Sequence, residues 1–166
     1  MNIKAIETSY GGYRFRSRLE ARWAVFFDSM KWEWEYEKEG FNLGGICYLP
    51  DFWLPKIGAW AEVKPERLKR IEREKCQALA DLTESPVILL VGPPEVKAYR
   101  MLFMQRPDAF LATNVVLTIH SMGTIYDCMH GLEPEDIEPD YFPDVKQAVI
   151  AAKSARFEFG EKGIPA

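Results

Sequence analysis

Two carboxylates and a lysine stand at a spacing that suits chemistry on a phosphodiester. Pro50-Asp51-Phe52 is followed, eleven residues after Asp51, by Glu62-Val63-Lys64. Between them Phe52-Trp53-Leu54-Pro55 runs into Lys56-Ile57-Gly58-Ala59, a polar turn that contains a glycine. Apolar runs joined by such a loop favour a β-hairpin. In a strand over residues 59–64 side chains alternate between faces, so Glu62 and Lys64 share one face and Ala61 and Val63 the other. Asp51, at the start of the partner strand, reaches the same end of the hairpin. Two acids and an ammonium gathered there are costly unless a cation or a reaction uses them.

Two carboxylates sharing a hard divalent cation bind it through oxygen and leave positions for water, as Mg2+ prefers. The metal acts as a Lewis acid on a phosphoryl oxygen and lowers the pKa of a bound water. A neighbouring lysine orients that water and stabilises the charge that develops. The structural alternative is a solvated hairpin whose Glu/Lys pair contributes about 0.2–1 kcal/mol.

Upstream, Ser17 is suited to cap a helix, and Glu20 three residues later completes a capping-box pattern. Leu19, Trp23, Phe26, Phe27 and Met30 recur at three- and four-residue intervals, the stripe of a helix packed on a sheet. Glu20 lies beside that stripe. It is suited either to cap its helix, worth about 1 kcal/mol, or to turn toward the acidic pair as a third carboxylate. Arg14, Arg16, Arg18 and Arg22 crowd around it. Arginine gives bidentate phosphate contacts, and cations at a helix N-terminus oppose the macrodipole. Both points favour a bound phosphate backbone over a purely structural role, in which these arginines would pair with Glu20, Glu33 and Glu35.

Glu20, then Pro50-Asp51, then Glu62-Val63-Lys64 resembles the PD-(D/E)-x-K nuclease superfamily, whose fold is restriction-endonuclease-like. Locally, Arg16-Ser17-Arg18-Leu19-Glu20-Ala21-Arg22-Trp23-Ala24 and Tyr48-Leu49-Pro50-Asp51-Phe52-Trp53-Leu54 are similar to small phage and prophage proteins of that superfamily. The resemblance spans roughly residues 8–80. It implies Mg2+, with Mn2+ substituting, held by Glu20, Asp51 and Glu62, and Lys64 as the catalytic lysine. It also implies a 5′-phosphate product and, for Gln77 on the next helix, a place near the active site. A surface glutamine is the alternative for Gln77.

The elements that must position these residues follow from patterning. Trp32-Glu33-Trp34-Glu35-Tyr36 alternates as a half-buried strand does. Glu66–Leu82 reads as a helix with Leu68, Ile71, Leu79 and Leu82 as its apolar stripe. Pro86–Gly92 is a continuous apolar run, as expected of a central strand covered on both sides. The expected class is therefore α/β, with an α-β-β-β-α-β core over about 8–92. A C-terminal extension covers about 93–166: short helical pieces over 93–114, a strand over Val115–His120 and a closing helix over Asp144–Phe157. The proline-rich acidic stretch Glu133–Asp144 reads as a loop.

At 166 residues and 48% hydrophobic, the chain suits one domain with one proper core. No apolar run approaches the roughly 18 residues of a membrane span. Cys47, Cys76 and Cys128 form neither a disulfide framework nor a zinc spacing, which points to a reducing cytoplasm, in a bacterial host if the phage resemblance holds. His120 and His130 are isolated and read as structural. A net charge of −4 argues against a protein that coats nucleic acid by charge alone. The expectation is a Mg2+-dependent DNA endonuclease or nickase, with a homodimer required for double-strand cleavage. The alternative is a nuclease-fold module that binds DNA or a protein without cutting, such as a phage counter-defence protein.

Overall fold

Gly11 and Gly12, both at positive φ, turn the first described segment back on itself. The resulting antiparallel pair is β1 (Thr8–Tyr10) and β2 (Tyr13–Phe15). This is a computed structural model, and it describes residues 6–105, 112–116, 126–127 and 143–157. Helix α1 (Arg18–Ser29) begins where the sequence predicts: Ser17 is extended, and its Oγ accepts the Glu20 N–H at 3.2 Å. The expected stripe is its buried face, with Trp23, Phe26 and Phe27 fully enclosed. The helix ends before Lys31, whose positive φ breaks the repeat.

Next come β3 (Glu35–Tyr36), the hairpin β4 (Phe41–Leu43) and β5 (Ile46–Tyr48), then β6 (Phe52–Leu54) and β7 (Ala59–Lys64). Helix α2 (Arg70–Thr83) leads to β8 (Val87–Val91), followed by β9 (Ala98–Leu102), β10 (Ala112–Val116), β11 (Tyr126–Asp127) and α3 (Pro143–Ser154). Among the described residues a seven-stranded sheet runs in the order β11-β10-β9-β8-β7-β6-β3. The β7–β8 pair is parallel and the remaining pairs are antiparallel, so the sheet is mixed and the fold is α/β. Helix α2 supplies the crossover that a parallel pair needs.

Period two decides what lies on each face of the sheet. Phe52, Leu54, Ala61, Val63, Ile88 and Leu90 face α1 and α3 in one apolar cluster. Trp60, Val87 and Leu89 face α2 and the β4–β5 hairpin in another. The predicted hairpin over 52–64 has the register Phe52↔Ala61 and Trp53↔Trp60, and β8 is the doubly covered central strand anticipated for it. Helix α3 buries Val145, Ala148, Val149 and Ala152, the residues its sequence pattern singles out.

Several expectations are corrected. Among the described residues, the stretch 93–114 holds strand β9 and the start of β10 rather than short helical pieces, because β9 pairs with β8 and β10 with β9 in the sheet; residues 106–111 lie outside the described ones. The strand expected over Val115–His120 is β10, which starts earlier, at Ala112; residues 117–120 lie outside the described ones. Of the alternating run at 32–36, Glu35 and Tyr36 alone are in strand. The second helix starts at Arg70, not Glu66, and it buries Cys76, Leu79 and Ala80, whereas Ile71 and Leu82 are exposed. Those two lie on the flank of α2 turned away from the sheet. His120, His130, Cys128 and residues 133–142 of the acidic stretch are outside the described residues. Among the described residues, no helix is long and apolar enough to cross a membrane.

Candidate active site

A cleft of about 410 Å³ opens where the ends of α1, β5 and β7 and the start of β6 meet, lined by Arg16, Glu20, Cys47, Tyr48, Leu49, Asp51, Glu62, Val63 and Lys64. All four residues that the sequence proposes as its reacting centre (Glu20, Asp51, Glu62 and Lys64) are therefore in one place. Strand β7 presents Glu62 and Lys64 on the same face, and their side chains meet, with Lys64 Nζ 2.7 Å from Glu62 Oε1. Asp51 sits one residue before the first registered position of β6. Its Oδ2 accepts the Val63 N–H at 2.7 Å, so the two strands hold the carboxylate from the backbone side.

Asp51 and Glu62 are almost completely buried, at 3% and 5% exposure. Burial, and then the charges of Glu62 and Glu20, push the Asp51 carboxyl well above the usual carboxylate range, against the Val63 N–H and Lys64. Burial disfavours the charged form of Lys64, but the Glu62 carboxylate, with help from Asp51 and Glu72, raises its proton affinity on balance. Lys64 is thus an ammonium. Its backbone is fixed too: its carbonyl accepts the Gly92 N–H at 2.8 Å, while Trp23 Nε1 donates to Gly92 O at 3.0 Å. The core of α1 thereby anchors the end of β7.

Glu20 is held by hydrogen bonds at the start of α1. Its Oε1 accepts from the Ser17 hydroxyl at 2.7 Å, and its Oε2 accepts from the Tyr36 hydroxyl at 2.5 Å and the Arg16 N–H at 3.1 Å. Both oxygens are engaged inside the protein. The Arg16 guanidinium bridges two acids, with Nη2 2.7 Å from Asp51 Oδ1 and Nε 2.7 Å from Glu37 Oε1.

The other candidates divide. Arg14 pairs with Glu7 on the exposed first hairpin. Arg22 donates from Nη1 to the carbonyls of Ala152 and Lys153 at 2.7 and 2.8 Å, which closes the C-terminal end of α3, where a cation is favoured. Arg18 is half-buried, with a buried Nε that has no hydrogen-bond partner among the described residues. Gln77 does not line the cleft: its amide donates to Phe103 O at 2.7 Å and to Asp81 at 3.1 Å, tying α2 to the segment after β9.

Tyr48 is a residue that spacing did not reveal. Its hydroxyl donates to Glu62 Oε2 at 2.7 Å and lies 3.4 Å from Cys76 Sγ. Burial pushes the Tyr48 phenol up strongly and the Cys76 thiol up to about 12, so both keep their protons at neutral pH. The available signal was position alone, since Tyr48 stands three residues before Asp51.

Among the described residues, no three His, Cys, Asp or Glu side chains are grouped so as to hold a metal ion. Asp51 and Glu62 nevertheless have the right chemistry for a hard cation: two buried carboxylates, open to a cleft that admits water. Glu20 lines the same cleft with both oxygens engaged within the chain, as are those of Asp51 and Glu62. Compared with family models, with curated proteins and with solved structures, the chain has no match in any of the three.

Proposed function

We propose that the protein is a metal-dependent DNA endonuclease or nickase on a restriction-endonuclease-like core. The observation that carries this reading is the convergence of Asp51, Glu62 and Lys64 in one cleft, beside Glu20 and Arg16. The element order supports it as well. With the β4–β5 hairpin set aside, α1, β3, β6, β7, α2 and β8 follow the α-β-β-β-α-β order of that core, and the acids sit on the β6–β7 hairpin.

Held by Asp51 and Glu62, Mg2+ or Mn2+ supplies a Lewis acid for the phosphoryl oxygen and a water of lowered pKa. Lys64 keeps its proton, so it serves as a donor that orients the attacking water and stabilises charge on the phosphoryl oxygens. Tyr48 fixes one oxygen of Glu62 and leaves the other to face Lys64 and the cleft. Glu20 holds the Arg16 backbone N–H and the Ser17 hydroxyl at the start of α1 and stands in the same cleft as the third carboxylate that the resemblance implies. Arg16, with Arg18 at the first position of α1, takes the phosphate backbone, whereas Arg14 and Arg22 are engaged elsewhere.

A non-cleaving DNA- or protein-binding module is the second reading. Its support is that the two central acids are already paired within the chain, to Arg16 and Lys64. Supercoiled plasmid incubated with the protein in Mg2+ or Mn2+, and in EDTA as the control, separates the two. The nuclease reading expects metal-dependent nicked circles carrying 5′-phosphate ends, with linear product only if two copies act together. No cleavage of plasmid, branched DNA, single-stranded DNA or RNA would leave the binding module.

A further inference from the structure

We infer that Glu37 is a positioning residue that holds the Arg16 guanidinium in the cleft to receive a phosphate of the nucleic-acid strand, an inference that rests on the nuclease reading for its ligand. Glu37 is a non-glycine residue in the left-handed region, at φ +47°. A backbone of that kind persists where its surroundings over-determine it, and it concentrates at functional sites. Here the Glu37 N–H donates to Asp51 O at 2.9 Å, continuing the β3–β6 ladder one step past Tyr36↔Phe52. The strained residue is thus tied to the residue that carries the central carboxylate.

Its side chain completes the arrangement. Glu37 Oε1 forms an ion pair with Arg16 Nε at 2.7 Å, while Glu20 and Tyr36 accept the Arg16 backbone N–H. Arg16 is therefore fixed at its backbone and at the root of its guanidinium, yet its side chain is 54% exposed. The far edge of the guanidinium, Nη1 and Nη2, is the edge that makes paired contacts to a phosphate. At present Nη2 rests on Asp51. A cation held by Asp51 would take over that neutralisation and leave Nη2 to the phosphate, with the Glu37 ion pair at Nε keeping the direction of the fork. Of the four arginines at the start of the chain, Arg16 is the one that lines the cleft.

Charge alone predicts the opposite effect on substitution, which makes the role testable. Removing an acid beside a DNA site should tighten binding; removing the residue that aims Arg16 should weaken it. Asn is the informative replacement, because it tolerates the left-handed backbone and keeps the N–H to Asp51. Glu37→Asn, Glu37→Asp and Arg16→Met are compared with wild type by fluorescence anisotropy on a labelled DNA duplex in Ca2+, a hard cation suited to the same carboxylate oxygens, across a salt series, and by steady-state cleavage in Mg2+.

The expected result is that Arg16→Met loses about one unit of slope in log Kd against log salt. Glu37→Asn should melt no lower than wild type, bind DNA more weakly and raise KM more than it lowers kcat. Glu37→Asp should recover part of the loss. A folded Glu37→Asn that binds DNA as tightly as wild type, or more tightly, overturns the inference. Wild type that binds DNA but never cuts removes the nuclease reading, and the binding comparison still decides the role of Glu37. Wild type that binds no DNA overturns both.

Discussion

Asp51 is enclosed by protein, faces two other carboxylates and still accepts from the Val63 N–H and Arg16. Its proton is held to higher pH in the folded chain than in the unfolded one, where the ordinary value is 3.8. The folded state binds more protons in that window, so the contribution of Asp51 is stabilising below about pH 3.8 and is lost as the pH rises through the raised folded value. Without metal, the unfolding midpoint should therefore decline across that interval, and Asp51→Ala should flatten the decline. The proton and the cation also compete for the same oxygens. Calorimetric titration with Mn2+ should give an apparent affinity that rises with pH through the same interval; an affinity indifferent to pH there would separate Asp51 from the metal. At this scale the sequence was readable where local geometry sets neighbours. Period two put Glu62 beside Lys64, and hairpin closure brought Asp51 to them. Tyr48, Tyr36 and Glu37 were not readable, because their partners are set by pairing between strands and by the packing of α1. Spacing also left Glu20 with two roles, and it gave no sign of the Tyr36 hydroxyl and the Arg16 N–H that meet its second oxygen.

Strand ends position the chemistry, and Gly92 is the most exacting of these junctions. It has φ +76°, its N–H donates to Lys64 O and its carbonyl receives the Trp23 indole. Gly92→Ala should lower stability by about 1 kcal/mol or more, because alanine resists a positive φ. It should also slow cleavage beyond what the fraction unfolded explains, since the backbone of Lys64 shifts with it. Chemical denaturation beside a rate measurement checks this, and an unchanged midpoint with an unchanged rate would show that the junction does not constrain Lys64. Helix α1, the β6–β7 hairpin and β8 were legible because capping, turn and burial signals agree in each. Two further hairpins carry their cue in Gly11-Gly12 and Gly44-Gly45, which supply the positive φ that two-residue hairpin turns require. Strand β9 was hidden for another reason. Its methionine and aromatic residues suit either a helix or a strand, and the open edge of β8 decides in favour of the strand.

The nuclease reading asks an acidic chain to accept a polyanionic substrate. A net charge of −4 coexists with a cleft in which Arg16 and Lys64 offset Asp51 and Glu62. Around it, α1 and α3 cover one face of the sheet while α2 and β4–β5 cover the other, so the acids sit at the edge of two packed layers rather than on a mobile surface. The α/β class was legible from the alternation of helical and strand patterns. The continuation of the sheet through β9 to β11 was not, since it depends on pairings distant from the motif. The most direct test of the account is metal-dependent nicking of supercoiled plasmid by Asp51→Ala, Glu62→Ala and Lys64→Ala beside wild type, with each variant shown by circular dichroism to be folded. The account predicts nicking by wild type that falls by about a hundredfold or more in all three. A folded variant at any of these positions that cuts at the wild-type rate would contradict it.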